Sequence, residues 1–170
     1  VWILHWEKKN TGKVKKYKMK LLSIAVPCYN SEGYMRNCIE SLLPGGEEVE
    51  IIIVDDGSTK DRTAEIADEY AAKYPTIVKA VHQENGGHGQ AVNTGLKNAT
   101  GLYFKVVDSD DWLDEENYPK VLAKLAELVH QGNAPDMMIC NYIYDKQGAK
   151  HKKAVRYASA FPLDEVFTWR

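Results

Sequence analysis

Apolar runs alternate with amphipathic stretches along most of this chain. Short runs of mainly apolar residues are typical of strands buried on both faces, and they lie at 21–26, 49–54, 77–81, 103–107 and 137–144. The stretches between them have apolar residues at the spacing of one helix face, and they lie at 32–43, 64–74, 91–99 and 118–129. This alternation predicts a three-layer α/β/α fold with a mainly parallel sheet.

Residues that follow the strands of a parallel sheet meet at one edge. Ligands bind in such sheets beyond the carboxyl ends of the strands. Three polar segments follow predicted strands here, namely Pro27 to Asn30, Asp55-Asp56 and Asp108 to Asp111. The sequence therefore predicts one crevice built from segments that are distant along the chain.

Asp108-Ser109-Asp110-Asp111 places three carboxylates in four residues directly after a buried strand. A divalent cation such as Mg²⁺ takes one or two carboxylates and completes its shell with water and substrate phosphates. There it neutralises a diphosphate and stabilises it as a leaving group. We therefore expect a metal-bound nucleotide at this turn, although Asp111 and Asp114 are explained equally well by a cap on the following helix.

Other polar residues at this edge have two interpretations each. Asp55 is expected to be structural, whereas Asp56 is a candidate acceptor for a base N–H or a ribose hydroxyl. Tyr29 either lies against a base ring or is a partly buried tyrosine at a strand end. The glycine-rich loop 85–89 precedes a helix and suits a close approach to phosphates, while His88 is interpreted as an exposed loop residue rather than a base.

Charge is distributed unevenly along the chain. Residues 1–18 contain six lysines and one glutamate, a net charge of +5, which leaves −7 for the remainder of a chain whose total is −2. The acidic remainder argues against a nucleic-acid-binding domain, which needs a basic face. We expect residues 1–18 to be a disordered or non-native extension before a single domain over 19–170. The functional alternative is a basic tail in peripheral contact with anionic lipid.

The three cysteines, Cys28, Cys38 and Cys140, lack metal-ligand spacing and lie in apolar stretches. They are expected to be reduced thiols of a cytoplasmic protein, which could act at the inner face of the membrane. The sequence contains no run of about 18 apolar residues and therefore predicts no membrane span. No signal-peptide pattern follows the early charges.

Four motifs, in this order over about Leu21 to Leu128, resemble the family 2 glycosyltransferases of the GT-A fold. They are Val26-Pro27-Cys28-Tyr29-Asn30-Ser31-Glu32, Val54-Asp55-Asp56-Gly57-Ser58, Asn85-Gly86-Gly87 with Asn93-Thr94-Gly95, and Asp108-Ser109-Asp110-Asp111. The resemblance implies transfer of a sugar, usually with inversion, from a nucleotide-diphosphate donor. UDP is the default donor nucleotide, and the acceptor is a cell-envelope or lipid-linked glycan.

The resemblance also implies site residues. It assigns Mn²⁺ or Mg²⁺ to Asp110 and Asp108, with Asp110 favoured as the direct ligand. The residues that it assigns to the nucleotide-sugar are Pro27, Tyr29, Asn30, Glu32, Asp56, Asn85, Gly86, Gly87, Asp108 and Ser109.

The chain departs from the family pattern after the glycine loop. Many members have an arginine just before the asparagine of the following helix, whereas this chain has Gln90-Ala91-Val92-Asn93. A contact with the donor phosphates is therefore absent or comes from another residue, for which Lys105 and His88 are the candidates.

A second departure concerns the catalytic base. The family's base belongs to an acidic motif well after the metal motif, and we expect it beyond Arg170. Asp164 and Glu165 lie too early for that role and are expected in a loop or at a helix start. The chain is then the donor-binding part of a longer enzyme, without the C-terminal acceptor part.

Two other functions are weighed against transfer. The chain could bind the nucleotide without catalysis, as a fragment of the enzyme. A response-regulator receiver also holds Mg²⁺ with carboxylates at strand ends, but its acidic pair follows the first strand, and here Asp55-Asp56 follows the second. The donor base, the sugar, the acceptor and the oligomeric state stay open.

Overall fold

The computed structural model describes residues 2–5, 19–145, 151–162 and 165–168. The main element is a six-stranded sheet in the order β4-β3-β2-β5-β1-β6. Its strands are β1 (Trp2–His5), β2 (Leu22–Cys28), β3 (Val49–Asp55), β4 (Val78–His82), β5 (Tyr103–Val106) and β6 (Met137–Ile139). A separate antiparallel hairpin is formed by β7 (Tyr142–Tyr144) and β8 (Lys153–Val155).

Helices cover both faces of the sheet, as the three-layer prediction requires. They are α1 (Met35–Leu42), α2 (Thr63–Lys73), α3 (His88–Asn98) and α4 (Tyr118–His130), with a short 3₁₀ segment at Leu43–Glu48. Because successive strand residues point to opposite faces, Ile24 and Ile51 pack with α1, α2 and α4, whereas Ala25 and Ile52 pack with the α3 side. All seven residues of β2 are buried, which is typical of a strand covered on both faces.

The four strands β4, β3, β2 and β5 are parallel. Their carboxyl ends therefore lie at one edge, and the register places Cys28 beside Asp55. Helix α3 packs close to the sheet at Gly95, where an added Cβ would lie 2.5 Å from the Cβ of Ala25. The predicted mainly parallel α/β sheet is confirmed.

The structure differs from the sequence-based expectation at Trp2–His5. These residues form β1, which pairs antiparallel with β5 and with β6, rather than part of an irregular extension. Ile3 lies in the hydrophobic core and is 3% exposed. The lysines of the basic segment lie outside the described residues, so the proposed lipid contact and the origin of this segment stay predictions.

The strand predicted at 137–144 is divided. It forms β6 and β7, and the break falls at Cys140 and Asn141. The side chain of Asn141 accepts a hydrogen bond from the backbone N–H of Tyr157 at 3.0 Å, so it serves the hairpin and not the main sheet. Cys28 and Cys38 are buried thiols outside any disulfide. Within the described residues, every helix is too short or too polar to cross a lipid bilayer.

Candidate functional site

A cavity of about 460 Å³ opens at the carboxyl edge of the parallel strands. It is formed by the loops after β2, β3, β4 and β5, which is the arrangement that the sequence predicted. Its lining residues are Pro27, Cys28, Tyr29, Ser31, Asp56, Asn85, Gly87, His88, Ala91, Asp108, Ser109 and Asp110.

Most of the predicted donor-binding residues face this cavity. Asp110, the predicted metal ligand, lines it together with Pro27, Tyr29, Asp56, Asn85, Gly87, Asp108 and Ser109. Asn30, Glu32 and Gly86 were also predicted to bind the donor, but they are not among the lining residues.

Asn30 and Glu32 instead hold a neighbouring loop. The Oδ1 of Asn30 accepts the N–H of Lys60 at 3.1 Å, and the Oε2 of Glu32 accepts the N–H of Arg62 at 3.0 Å. In the opposite direction, the Oδ2 of Asp61 in this loop accepts the backbone N–H of Glu32 at 2.9 Å. These side chains therefore shape the segment that presents Tyr29 and do not reach into the cavity themselves.

Asp56 is a buried carboxylate that holds the glycine loop. Its Oδ1 accepts the N–H of Gly86 at 2.9 Å and the side-chain amide of Gln83 at 2.6 Å, and its Oδ2 accepts the N–H of Gly87 at 2.8 Å. Burial raises the pKa of Asp56, but these three bonds outweigh burial and hold the pKa below its usual range. A carboxylate has about four acceptor positions, so about one position remains for a ligand.

Gly57 is required where this loop meets the chain after β3. Its φ is +72°, and an added Cβ would lie 2.8 Å from the backbone nitrogen of Asn85. Only a glycine fits that position without strain. The close approach brings Asn85 to the wall of the cavity.

Asp55 has the structural contacts that the sequence led us to expect. Its Oδ1 accepts the N–H of Ser58 at 3.0 Å, and its Oδ2 lies 3.1 Å from the Nδ1 of His82. The Nε2 of the same histidine lies 3.1 Å from Asp68. Asp55 therefore connects β3, β4 and α2 behind the cavity.

The acidic turn 108–111 is held by contacts with Ser31 and Cys38, and two of its carboxylates face the cavity. The Oγ of Ser109 lies 2.9 Å from the Oγ of Ser31, and the thiol of Cys38 lies 3.5 Å from the carbonyl of Asp108. Asp108 and Asp110 line the cavity, whereas Asp111 does not. Burial, followed by the charges of Asp110 and Asp108, raises the pKa of Asp111.

Asp114 caps the region before α4, in line with the non-functional interpretation of its sequence. Its Oδ1 accepts the N–H of Asn117 at 2.9 Å and the side-chain amide of the same residue at 2.6 Å. Neither Asp114 nor Asn117 lines the cavity.

His88 and Lys105, the two candidates for the phosphate contact that an arginine makes in many family members, differ in their position relative to the cavity. His88 opens α3 and lines the cavity, and its Nε2 lies 2.8 Å from the Oδ1 of Asp108. Lys105 is 5% exposed and does not line the cavity. Burial lowers the pKa of Lys105 to about 8, in spite of the attraction of Asp111 and Asp108. Of the two candidates, only His88 lines the cavity.

The donor atoms at this end of the cavity suit a divalent cation. Within the described residues, no three side chains of His, Cys, Asp or Glu are already gathered as a metal site. Two carboxylates at an accessible rim are nevertheless the donor set expected for Mg²⁺ or Mn²⁺ that keeps waters and takes phosphate oxygens. Asp108 and Asp110 fit that description.

Sequence reasoning missed four residues of the site. Cys28, Ser31 and Ala91 line the cavity, and Gln83 orients Asp56. Cys28 and Ser31 lie inside the first motif, so the motif itself was the available signal, whereas nothing marks Gln83 or Ala91. Burial raises the pKa of the Cys28 thiol, which makes it an unreactive wall residue.

Comparison with known proteins agrees with this geometry. The sequence model of the family described as Glycosyl transferase family 2 matches residues 23–161. EpsJ of Bacillus subtilis, described as an uncharacterized glycosyltransferase, is 42% identical over 123 residues, which cover 72% of this chain and 34% of that protein. This chain spans about a third of the length of the first curated relatives that it matches.

Two solved structures share the fold. S. aureus TarS 1–349 in complex with UDP-GlcNAc superposes with a TM-score of 0.55 at 35% identity, over 63% of this chain and 31% of that chain. The mannosyltransferase PcManGT from Pyrobaculum calidifontis, in complex with GDP-Man and Mn²⁺, gives a TM-score of 0.50 at 26% identity, over 66% and 33%. Taken with the family match over most of its length, these findings show that the chain belongs to glycosyl transferase family 2.

Proposed function

We propose that this chain binds the nucleotide-sugar donor, preferably a UDP-sugar, for transfer of the sugar to a glycan or lipid-linked acceptor. The observation that carries the proposal is the cavity in which Tyr29, Asp56, Asp108 and Asp110 meet. Family membership supports the reaction class. TarS, solved with UDP-GlcNAc, supports uridine as the base, and PcManGT, solved with GDP-Man, makes guanosine the competitor to test.

The nucleoside is proposed to bind between the first two motifs. Tyr29 is 50% exposed at the cavity, so its ring offers an aromatic face for a base. The low pKa of Asp56 keeps its carboxylate charged, and its remaining acceptor position suits a base N–H or a ribose hydroxyl. The other bonds of Asp56 fix it against the glycine loop before the ligand arrives.

The diphosphate is proposed to bind at the acidic turn. Asp108 and Asp110 would hold Mn²⁺ or Mg²⁺, which when bound neutralises the charge that develops on a diphosphate leaving group. Ser109 and Ser31 keep this turn next to the first motif through their 2.9 Å contact. The two carboxylates thus face the same space as the proposed nucleoside position.

Inversion at the sugar carbon is part of the proposal and requires a base on the acceptor side. No described residue is assigned to that role. Glu165 is exposed and does not line the cavity, and Asp164 lies outside the described residues. Of the carboxylates that do line the cavity, Asp56 holds the loop and Asp108 and Asp110 are proposed for the metal.

Calorimetric titration tests donor binding directly. UDP, GDP and dTDP are titrated into the chain with and without Mn²⁺, and into Asp110→Ala. We expect Mn²⁺-dependent UDP binding that Asp110→Ala weakens by at least about tenfold, or about 1.4 kcal/mol. Glu115→Ala, which removes an exposed carboxylate outside the cavity, should bind UDP as the unmodified chain does. A folded chain that binds none of the three nucleotides would contradict the proposal.

A second candidate function is donor binding without catalysis. It is favoured by the length of the chain, which spans about a third of its first curated relatives. Hydrolysis of a UDP-sugar, or its transfer, by these 170 residues would exclude this candidate. The receiver hypothesis is not retained, because the family match covers the same acidic motifs that suggested it.

A further inference from the structure

His88 and Asp108 form a contact that joins two separate elements over the cavity. His88 is the first residue of α3, and Asp108 belongs to the turn after β5. The side chains are 66% and 51% exposed, and their closest atoms, Nε2 and Oδ1, are 2.8 Å apart. An ion pair between groups this exposed adds little to stability, typically about 0–1 kcal/mol. Stability therefore does not account for the placement of a histidine here.

The spacing of the two atoms suits ligands of one metal ion. Adjacent ligands of an octahedral ion, each bound at about 2.1 Å, have donor atoms about 3 Å apart. The 2.8 Å between Nε2 of His88 and Oδ1 of Asp108 is close to that value. Asp110 lines the same cavity, so a third donor is within the same space.

We propose that Nε2 of His88 ligates the same divalent cation as Asp108 and Asp110. This inference rests on the proposed function, because it assumes that the donor site holds a cation. No three such donors are gathered in advance within the described residues, so Asp110 completes the set only when the ion binds. In the 2.8 Å contact the Nε2 donates to Oδ1 of Asp108, so the ion displaces that proton when it binds. The ring then carries its proton on Nδ1 and offers Nε2 as the ligand.

A histidine ligand gives this site a metal preference. Imidazole suits transition metals, whereas Mg²⁺ prefers carboxylate, carbonyl and water oxygens. A site with two carboxylates alone lacks that bias. His88 is therefore expected to favour Mn²⁺ over Mg²⁺ in this chain.

Pulsed electron paramagnetic resonance tests the ligand directly. Mn²⁺ and UDP are bound to the whole chain, and electron spin echo modulation is recorded for the unmodified chain, His88→Ala and His88→Asn. We expect modulation from a directly bound ¹⁴N nucleus, which both variants abolish. His130→Gln is the control, because it replaces an exposed histidine at the end of α4 and should keep the signal.

A second measurement compares the two metals. UDP affinity is titrated with Mn²⁺ and with Mg²⁺ for the unmodified chain and for His88→Ala, after circular dichroism confirms that the variant is folded. We expect the variant to lose at least about tenfold in affinity with Mn²⁺, a typical cost of disturbing a metal site. The loss with Mg²⁺ should be clearly smaller.

The outcomes separate this inference from the proposed function. If the unmodified chain binds UDP with Mn²⁺ but shows no ¹⁴N modulation, the role of His88 is wrong and the donor site stands. An equal loss with both metals in His88→Ala, without a nitrogen signal in the unmodified chain, would mean that His88 contacts phosphate and not the cation, which also overturns the inference. A chain that binds no nucleotide with either metal overturns both proposals.

Discussion

Asp56 connects two loops that lie 30 residues apart in the sequence. Its carboxylate accepts two backbone N–H groups of the glycine loop, from Gly86 and Gly87, and is 3% exposed. Bonds from backbone donors to a buried carboxylate are among the stronger hydrogen bonds in proteins. One side chain therefore determines both the shape of the loop and the charge at the cavity floor.

Asp56→Asn is expected to loosen the glycine loop and to remove the negative charge of this side chain at the cavity. The amide keeps the size of the side chain but has one acceptor oxygen, so at least one N–H of Gly86 or Gly87 loses its partner. We expect a loss of about 1–3 kcal/mol in the free energy of unfolding and weaker UDP binding by calorimetry. Glu84→Gln, which changes an exposed residue near the same loop, should change neither. Unchanged stability and affinity in Asp56→Asn would contradict this account.

Residue positions were predictable where a motif and a strand end coincide. Asp56, Asp108 and Asp110 follow buried strands, so the sequence placed them at the edge, and they line the cavity. It did not show that Asn30 and Glu32 hydrogen-bond a neighbouring loop, because that loop begins 28 residues later in the sequence. Local pattern places a side chain at an edge but does not determine what it touches.

At the scale of elements, His82 joins two strands and a helix. It ends β4 and lies between Asp55 of β3 and Asp68 of α2. Burial lowers the pKa of His82, but the hydrogen bonds and charges of the two aspartates outweigh burial, and the pKa is raised above 6.5. The charged ring thus stabilises the contact between these elements.

This contact predicts a pH dependence of stability. A raised pKa in the folded state means that the stabilisation is full below about pH 6.5 and is lost as pH rises through the folded pKa. Urea unfolding of the unmodified chain and of His82→Gln should differ most near pH 5.5 and least near pH 8.5. Because the ring is 42% exposed, the difference is expected to be at most about 1 kcal/mol. Asp68→Asn should reduce the dependence, and a difference that grows with pH would refute it.

Over the whole molecule, the alternation of apolar runs and helical stretches was sufficient to predict the parallel sheet. The central strands β2 and β3 are buried along nearly their whole length, as strands covered on both faces are, so the layers follow from local sequence. β1 was not predictable in this way. Its four residues stand next to a lysine-rich segment, and its partners Phe104 and Met138 are about 100 or more residues away.

Ile3 and Leu4 offer a paired test of β1. Ile3 is 3% exposed and belongs to the core, whereas Leu4 is 47% exposed. Ile3→Ala should cost about 2–5 kcal/mol in the free energy of unfolding, the usual range for a buried aliphatic side chain. Leu4→Ala should cost much less. Equal effects in urea unfolding would show that β1 does not occupy its place in the sheet in solution.

The position of β1 has a consequence for biosynthesis. During translation, β1 leaves the ribosome well before its neighbour β5, since His5 pairs with Tyr103. At about 5–20 residues per second, the intervening residues take on the order of 5–20 s to be made. During that time β2, β3 and β4 are complete and can pair, while β1 has no strand to join. β1 therefore enters the sheet after the centre of the sheet has formed, and the acidic turn beyond β5 takes its place in the same late step.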